Sequence, residues 1–128
     1  MENRSKVSPN LRHHHRVPVT LEALLETQLG AQVTCTVENL SRAGLMVRCP
    51  PQTVQQLLPN REPVSPHQAV PVKLWLEIGS SLLAADGDVI YVRRASCDRF
   101  HVGISFSRFE DDSEERLKAY VMALMAKP

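Results

Sequence analysis

Apolar and polar side chains alternate with a period of two along most of the chain, which is typical of β-strands that bury one face. The first run covers residues 17–26, and Pro18, which has no N–H to donate, indicates an edge or the start of a strand. Five further runs repeat the pattern. Their predicted inward positions, together with those of the first run, are Val17, Val19, Leu21, Ala23, Leu25, Val33, Cys35, Val37, Leu45, Val47, Cys49, Val72, Leu74, Leu76, Ile78, Ile90, Val92, Phe100, Val102, Ile104 and Phe106.

The order of these runs predicts an all-β domain with a C-terminal helix. No helical pattern of about 10–15 residues separates neighbouring runs, so antiparallel pairing is favoured over a parallel sheet with crossover helices. A six-stranded antiparallel β-barrel or a sandwich satisfies the pattern, and barrel closure would remove exposed strand edges. In the strand around residues 82–94, the alternation predicts Ile90 and Val92 inside and Val89, Tyr91 and Arg93 outside.

Two segments depart from the strand pattern. Residues 50–71 hold most of the prolines and predict a long surface connection with one or two helical turns at 53–58, either a tolerated loop or a partner site. Near the C-terminus, apolar residues recur at helical spacing, and Asp111 and Asp112 are expected to cap the helix start. The apolar face, expected to seal the barrel or to join another helix, consists of Leu117, Tyr120, Val121, Leu124 and Met125.

Composition fits one globular domain. The 128 residues are 43% hydrophobic and 23% charged, with a net charge of +1 that does not favour DNA or RNA as a partner. No apolar run approaches the roughly 20 residues of a membrane span, and the three cysteines favour a reducing cytoplasm. We expect a flexible basic arm at 1–9 and a single domain at 10–128, with its barrel at about 16–107 and its helix at about 112–126.

The basic head of the chain carries the first candidate chemistry. Arg12 and Arg16 stand four residues apart just before the first strand, and an arginine fork can grip a phosphate or the O6 and N7 edge of guanine. On spacing alone, a solvated basic arm is the simpler explanation. Between them, His13, His14 and His15 cannot easily converge on one metal ion, because side chains alternate in an extended segment.

The second candidate is the segment between the second and third strands. Asn39 offers a donor and an acceptor to a base edge, Ser41 offers a hydroxyl, and Gly44 permits a positive φ or close backbone approach. Asparagine, serine and glycine also favour turns, so a hairpin connection explains the same residues.

Together, in this order, the two motifs resemble the PilZ domain family of bacterial receptors for the second messenger cyclic di-GMP. The resemblance covers about residues 10–126 and includes the segment VGISF at 102–106 and the following helix. It implies a six-stranded antiparallel barrel, and it implies a binding site for cyclic di-GMP. The implied ligand-binding residues are Arg12, Arg16, Asn39, Ser41 and Gly44.

The resemblance also implies a mechanism. Cyclic di-GMP is expected to pin a mobile basic arm against the barrel and so to signal to an unidentified downstream protein. Many relatives carry a further arginine where this chain has Leu11, which removes one possible phosphate contact. The rival function is therefore a ligand-independent module for protein–protein interaction on the same barrel.

Three further side chains are tentative ligand contacts. Tyr91 offers a stacking surface for a base, Arg93 lies on the same predicted face, and Arg42 lies within the second motif. Tyr91 is equally well explained as a half-exposed strand tyrosine, and a solvated arginine is the simpler explanation of Arg42. No catalytic triad, nucleophile elbow or phosphate-binding glycine loop is present, and the sequence predicts neither an enzyme nor a metal cofactor.

Overall fold

The computed structural model describes residues 16–58 and 69–126. The strands form one closed antiparallel barrel in the order β1-β2-β3-β6-β5-β4, which confirms the predicted fold class and replaces the sandwich alternative. The elements in chain order are β1 (Val17–Thr27), β2 (Gln32–Leu40), β3 (Gly44–Cys49), α1 (Pro51–Leu57), β4 (Val70–Ile78), β5 (Ser81–Ser96), β6 (Arg99–Phe109) and α2 (Ser113–Met125).

Most of the side chains that the alternation placed inside fill the barrel interior, whereas Phe100, also expected inside, lies outside the core cluster. Leu25, Val37, Val47, Leu74 and Leu76 are fully buried, and the residues before and after each of them point to the other face of the strand. Burial of apolar area at roughly 25 cal/mol per Å² is the main stabilising term for such a core. Cross-strand register therefore fixes which residues face outward and where they meet.

Strand β5 is where the predicted alternation was wrong. Val89 was expected outside but is fully buried, whereas Ile90 was expected inside but lies outside the core cluster. The register between β5 and β6 shifts between Val89 and Tyr91, and the extra residue of such a bulge reverses the facing of the residues after it. After the bulge, Val92 packs against the core, as predicted.

Helix α2 covers the barrel with its apolar face. Leu117 and Val121 are buried in the barrel core, whereas Met125, expected on the same face, is 46% exposed at the helix end. The predicted carboxylate cap was also wrong. Asp112 occupies the N-cap position without a capping hydrogen bond, because its carboxylate accepts from Arg116 Nε at 3.0 Å.

The proline-rich connection is not wholly a surface loop. Helix α1 begins at Pro51, where a missing N–H has no cost at a helix start. Leu57 and Leu58 at its end are buried in the core, so this end of the connection helps to fill the barrel. Residues 59–68 lie outside the described part of the chain.

Candidate ligand-binding site

Arg16 and Asn39 are brought together by the pairing of β1 with β2. Arg16 directly precedes β1, and the register sets Val17 opposite Leu40 and Pro18 opposite Asn39. Arg16 Nη1 donates a hydrogen bond to Asn39 Oδ1 at 2.7 Å, and both residues are half-buried. A charge-assisted bond of this length orients both groups. Arg16 of the first motif and Asn39 of the second therefore meet at one place on the outer surface.

Ser41 holds the turn between β2 and β3. Its side chain is fully buried, and its Oγ accepts hydrogen bonds from the backbone N–H of Ala43 at 3.1 Å and of Gly44 at 3.2 Å. The hydroxyl also lies 3.3 Å from the Gly44 carbonyl oxygen, to which it donates. In this arrangement the hydroxyl fixes the turn that follows Asn39 and is not presented to solvent.

Gly44 is required by close approach of two strands. A Cβ atom at this position would lie 2.3 Å from the backbone oxygen of Ile104 and 3.1 Å from the Cα of Ser105. The positive-φ glycines among the described residues are Gly30 and Gly79. Of the two roles considered from the sequence, Gly44 therefore serves close backbone approach and not a positive φ. The absence of a side chain here lets the motif turn sit directly against β6.

A row of outward residues crosses the barrel from Asn39. Register pairs Asn39 with Met46, Met46 with Gly103 and Gly103 with Tyr91. Asn39 Nδ2 lies 4.0 Å from Met46 Sδ, and Met46 is only 8% exposed although it points outward. A Cβ at Gly103 would fall 2.0 Å from the Tyr91 ring, so the ring lies over this glycine. Sequence reasoning missed Met46 and Gly103, whose signal was an outward methionine and a glycine on adjacent strands.

Charged side chains flank this row. The Arg93 guanidinium carbon lies 5.8 Å from the centroid of the Tyr91 ring, within reach of a cation–π contact. Glu38 accepts from Arg48 Nη1 at 2.8 Å and lies 3.5 Å from His101 Nε2. Arg48 is thus neutralised locally by a carboxylate, whereas Arg93 is exposed and faces only His101 Nδ1 at 3.5 Å and the Tyr91 ring among the contacts of the described residues.

Arg42 does not join the described cluster. Arg42 is exposed on the turn and lines a hollow shared with Phe106, Arg108 and Glu114, beside the start of α2. Arg12 and the histidine run at 13–15 lie outside the described residues. The structure therefore groups Arg16 and Asn39 with the turn of Ser41 and Gly44, and it places Tyr91 and Arg93 further along the same outer face.

The buried thiols have a structural setting. Cys35 and Cys49 are 3% and 2% exposed on neighbouring strands, as the alternation predicted. The hydrogen bond to Cys49, together with burial, raises the pKa of the Cys35 thiol well above its usual range. Cys35 therefore stays protonated, and a protonated thiol is a weak nucleophile.

The described residues carry neither a metal cluster nor a membrane-spanning helix. No three His, Cys, Asp or Glu side chains in 16–58 and 69–126 are grouped so that they could hold a metal ion. Neither α1 nor α2 has the length and apolar character needed to cross a bilayer.

Comparison with solved structures shows where this fold occurs. The inhibitor of motility MotI (DgrA) of Bacillus subtilis superposes with a TM-score of 0.67 at 11% identity over 89% of this chain. The complex of K. pneumonia MrkH with c-di-GMP gives 0.69 at 13% identity, also over 89%. The PilZ domain of CeSA from a cellulose synthesizing bacterium gives 0.58 at 20% identity over 87% of this chain and 98% of that one. The chain spans about half the length of MotI and MrkH, 51% and 52% respectively.

Sequence comparison assigns the family. No curated protein sequence matches the chain. The family model of the PilZ domain, however, matches residues 10–123, a span that contains the whole barrel, both motifs and most of α2. The family resemblance noted from the two motifs is thereby confirmed, and the chain belongs to the PilZ domain family.

Proposed function

We propose that this protein is a receptor for cyclic di-GMP and binds the dinucleotide on the outer face that begins at Arg16 and Asn39. The observation that carries the proposal is the 2.7 Å contact between these two side chains, which joins one residue of each motif in a PilZ fold. Its chemistry is binding without turnover. The c-di-GMP in the MrkH complex supports this choice of ligand.

The proposed roles follow from what each group can donate. Arg16 supplies a permanent positive charge and a planar fork for a phosphate or a guanine edge. Asn39 Oδ1 already accepts a hydrogen bond from Arg16. The amide nitrogen of Asn39 makes only a weak contact with the sulfur of Met46, so it can exchange this contact for a hydrogen bond to an acceptor on a base. Arg12, four residues earlier in the sequence, is proposed as the second phosphate contact on the basis of the family motif.

The turn residues have an indirect role in this proposal. Ser41 and Gly44 set the position of Asn39, because the hydroxyl ties the turn together and the missing Cβ lets it rest on β6. We therefore assign Ser41 to building the site, whereas the sequence motif suggested a direct hydrogen bond to guanine.

Tyr91 and Arg93 are proposed to extend the surface for a base. The half-buried Tyr91 ring rests over Gly103 and is held in a defined place, so little entropy is lost when a base stacks on it. Arg93 beside it adds positive charge near the phosphates. Arg42, which lines the hollow next to α2, is left without a ligand role.

Ligand binding is proposed to be relayed to a partner protein. A dianionic ligand that is held at Arg16 and draws the preceding basic residues onto the barrel would change the surface offered to that partner. The ligand can shift the equilibrium between the free and the ligand-bound conformations only by as much as its affinities for the two conformations differ.

Isothermal titration of the wild-type protein with cyclic di-GMP tests this function. We expect saturable heat with a micromolar or tighter dissociation constant, a raised melting temperature, and no comparable response to GMP. Absence of both heat and a melting shift at micromolar ligand would favour the ligand-independent interaction module. The molar ratio from the same titration distinguishes one bound dinucleotide from a stacked pair.

A further inference from the structure

An apolar surface lies on the outside of β1, β4 and β5. Leu24 on β1 is opposite Trp75 on β4, and one step along the barrel Glu77 on β4 is opposite Leu82 on β5. Leu82 is 61% exposed, and Leu24 and Trp75 are half-buried although they point away from the core. Together with Thr34, these side chains line an open hollow of about 430 Å³. We name Leu24, Trp75 and Leu82 the Trp75 surface.

The rim of the Trp75 surface is acidic, and its carboxylates have no ion-pair partner among residues 16–58 and 69–126. Glu22 and Glu77 line the same hollow, and no cationic side chain of the described residues lies within ion-pair distance of either. The nearby cations meet other groups. Lys73 lies 3.8 Å from Asp86 and 4.0 Å from Glu110. Arg116 is paired with Asp112 and donates to the backbone oxygen of Leu82 at 3.0 Å, so it borders the surface without pairing with Glu22 or Glu77. The hollow thus combines an aromatic centre with two carboxylates that no described cation pairs with, a combination that favours a basic partner.

Two other occupants fit this surface poorly. A second copy of the chain would meet it through the same patch in a two-fold dimer, which would bring Glu22 and Glu77 toward their own equivalents. An added β-strand is excluded because β1 and β4 are each paired on both sides in the closed barrel. The occupant must therefore bind through side chains and must carry the opposite charge.

We propose that the Trp75 surface docks a protein segment that presents an apolar side chain flanked by lysines or arginines. The apolar group fills the hollow beside Trp75, and the flanking cations meet Glu22 and Glu77. If this docking relays the cyclic di-GMP signal, that role rests on the proposed receptor function. The docking itself requires no ligand.

Trp75 makes the proposal directly measurable, because it is the only tryptophan of the chain. Two synthetic amphipathic peptides with the same leucine stripe are titrated while Trp75 fluorescence is recorded, one flanked by lysines and the other by glutamates. We expect the lysine peptide to give a saturable spectral shift and the glutamate peptide to give none. Glu22→Lys and Glu77→Lys should each raise the dissociation constant of the lysine peptide by about fivefold or more, since each replaces attraction with repulsion.

The matched control is Glu115→Lys, the same charge reversal at an exposed position on α2. It should leave the peptide affinity unchanged, and Leu82→Ser should weaken it without loss of the folded core. Absence of a response to the lysine peptide, equal responses to both peptides, or equal effects of all three charge reversals would overturn the proposal. Cyclic di-GMP titration of the Glu22→Lys and Glu77→Lys variants should match wild type, so failure of docking and failure of the receptor function are separately visible.

Discussion

Replacement of Gly44 by alanine tests whether the motif turn must rest directly on β6. The added Cβ would lie 2.3 Å from the Ile104 oxygen, where real Cβ contacts essentially never fall below 3.0 Å. Both nearby groups are backbone, so relief requires the strands to part by about 0.7 Å. This movement would stretch the backbone hydrogen bonds around the turn, which are Phe106 N–H to Ala43 O at 2.9 Å and Ser41 N–H to Gly44 O at 2.8 Å.

The cost can be worked from these contacts. A donor–acceptor distance stretched to about 3.6 Å no longer makes a useful hydrogen bond, and each lost bond costs about 0.5–1.5 kcal/mol. Overpacking adds about 1–3 kcal/mol. A total of about 4 kcal/mol is a large part of the roughly 5–15 kcal/mol that stabilises a domain.

Urea unfolding followed by far-UV circular dichroism measures this loss. With a slope of about 1–3 kcal/mol per molar urea, we expect the midpoint of Gly44→Ala to fall by more than about 1 M. Gly30→Ala is the control, since Gly30 has φ +91° and no atom within 4 Å of the added Cβ, and its cost is about 1–2 kcal/mol of backbone strain. The reasoning is refuted if Gly44→Ala is no less stable than Gly30→Ala.

Two further predictions concern a buried thiol and the half-buried ring of Tyr91. The pKa of the Cys35 thiol is raised in the folded state, so above pH 9 this thiol ionises in the unfolded chain but not in the folded protein. The free energy of unfolding should therefore fall by about 1 kcal/mol between pH 9 and 10. The double variant Cys35→Ala/Cys49→Ala should flatten this fall in urea titrations, because burial would raise the pKa of Cys49 if that thiol were left alone. Parallel profiles of wild type and double variant would count against the assignment. Tyr91→Ala should make the free energy of cyclic di-GMP binding less favourable by about 1–3 kcal/mol in calorimetry. Tyr91→Phe retains the stacking face and should bind the ligand as tightly as wild type. Equal affinity of all three proteins would remove Tyr91 from the site.

The barrel could be predicted from the sequence because its signal is local. Each inward residue lies between outward ones, so a period of two identifies a strand without knowledge of its partners. The bulge at Val89 and Tyr91 escaped this reasoning, because it arises from the pairing of β5 with β6 and has no local signature. Burial of Leu57 escaped for the same reason: the proline-rich context favours a loop, and only the packed barrel supplies a core to fill.

The candidate site shows the same division between local and distant information. Asn39 and Gly44 lie on either side of one turn, and their place beside a connection follows from neighbouring residues. The contact of Arg16 with Asn39 joins residues 23 positions apart, so only the family motif indicated it in advance. Gly103 and the ring of Tyr91 meet through cross-strand register, which no spacing along the chain reveals.

Calorimetric titration of Arg16→Ala with cyclic di-GMP is the most direct test of the proposed receptor site. A charge-assisted contact is worth about 1.5–3 kcal/mol, so we expect the dissociation constant to rise by about 10- to 150-fold. Arg99→Ala, at an exposed position beside the turn between β5 and β6, removes the same charge elsewhere and should bind as wild type. Equal affinity of Arg16→Ala and wild type would contradict the proposal that cyclic di-GMP is held at the junction of Arg16 and Asn39.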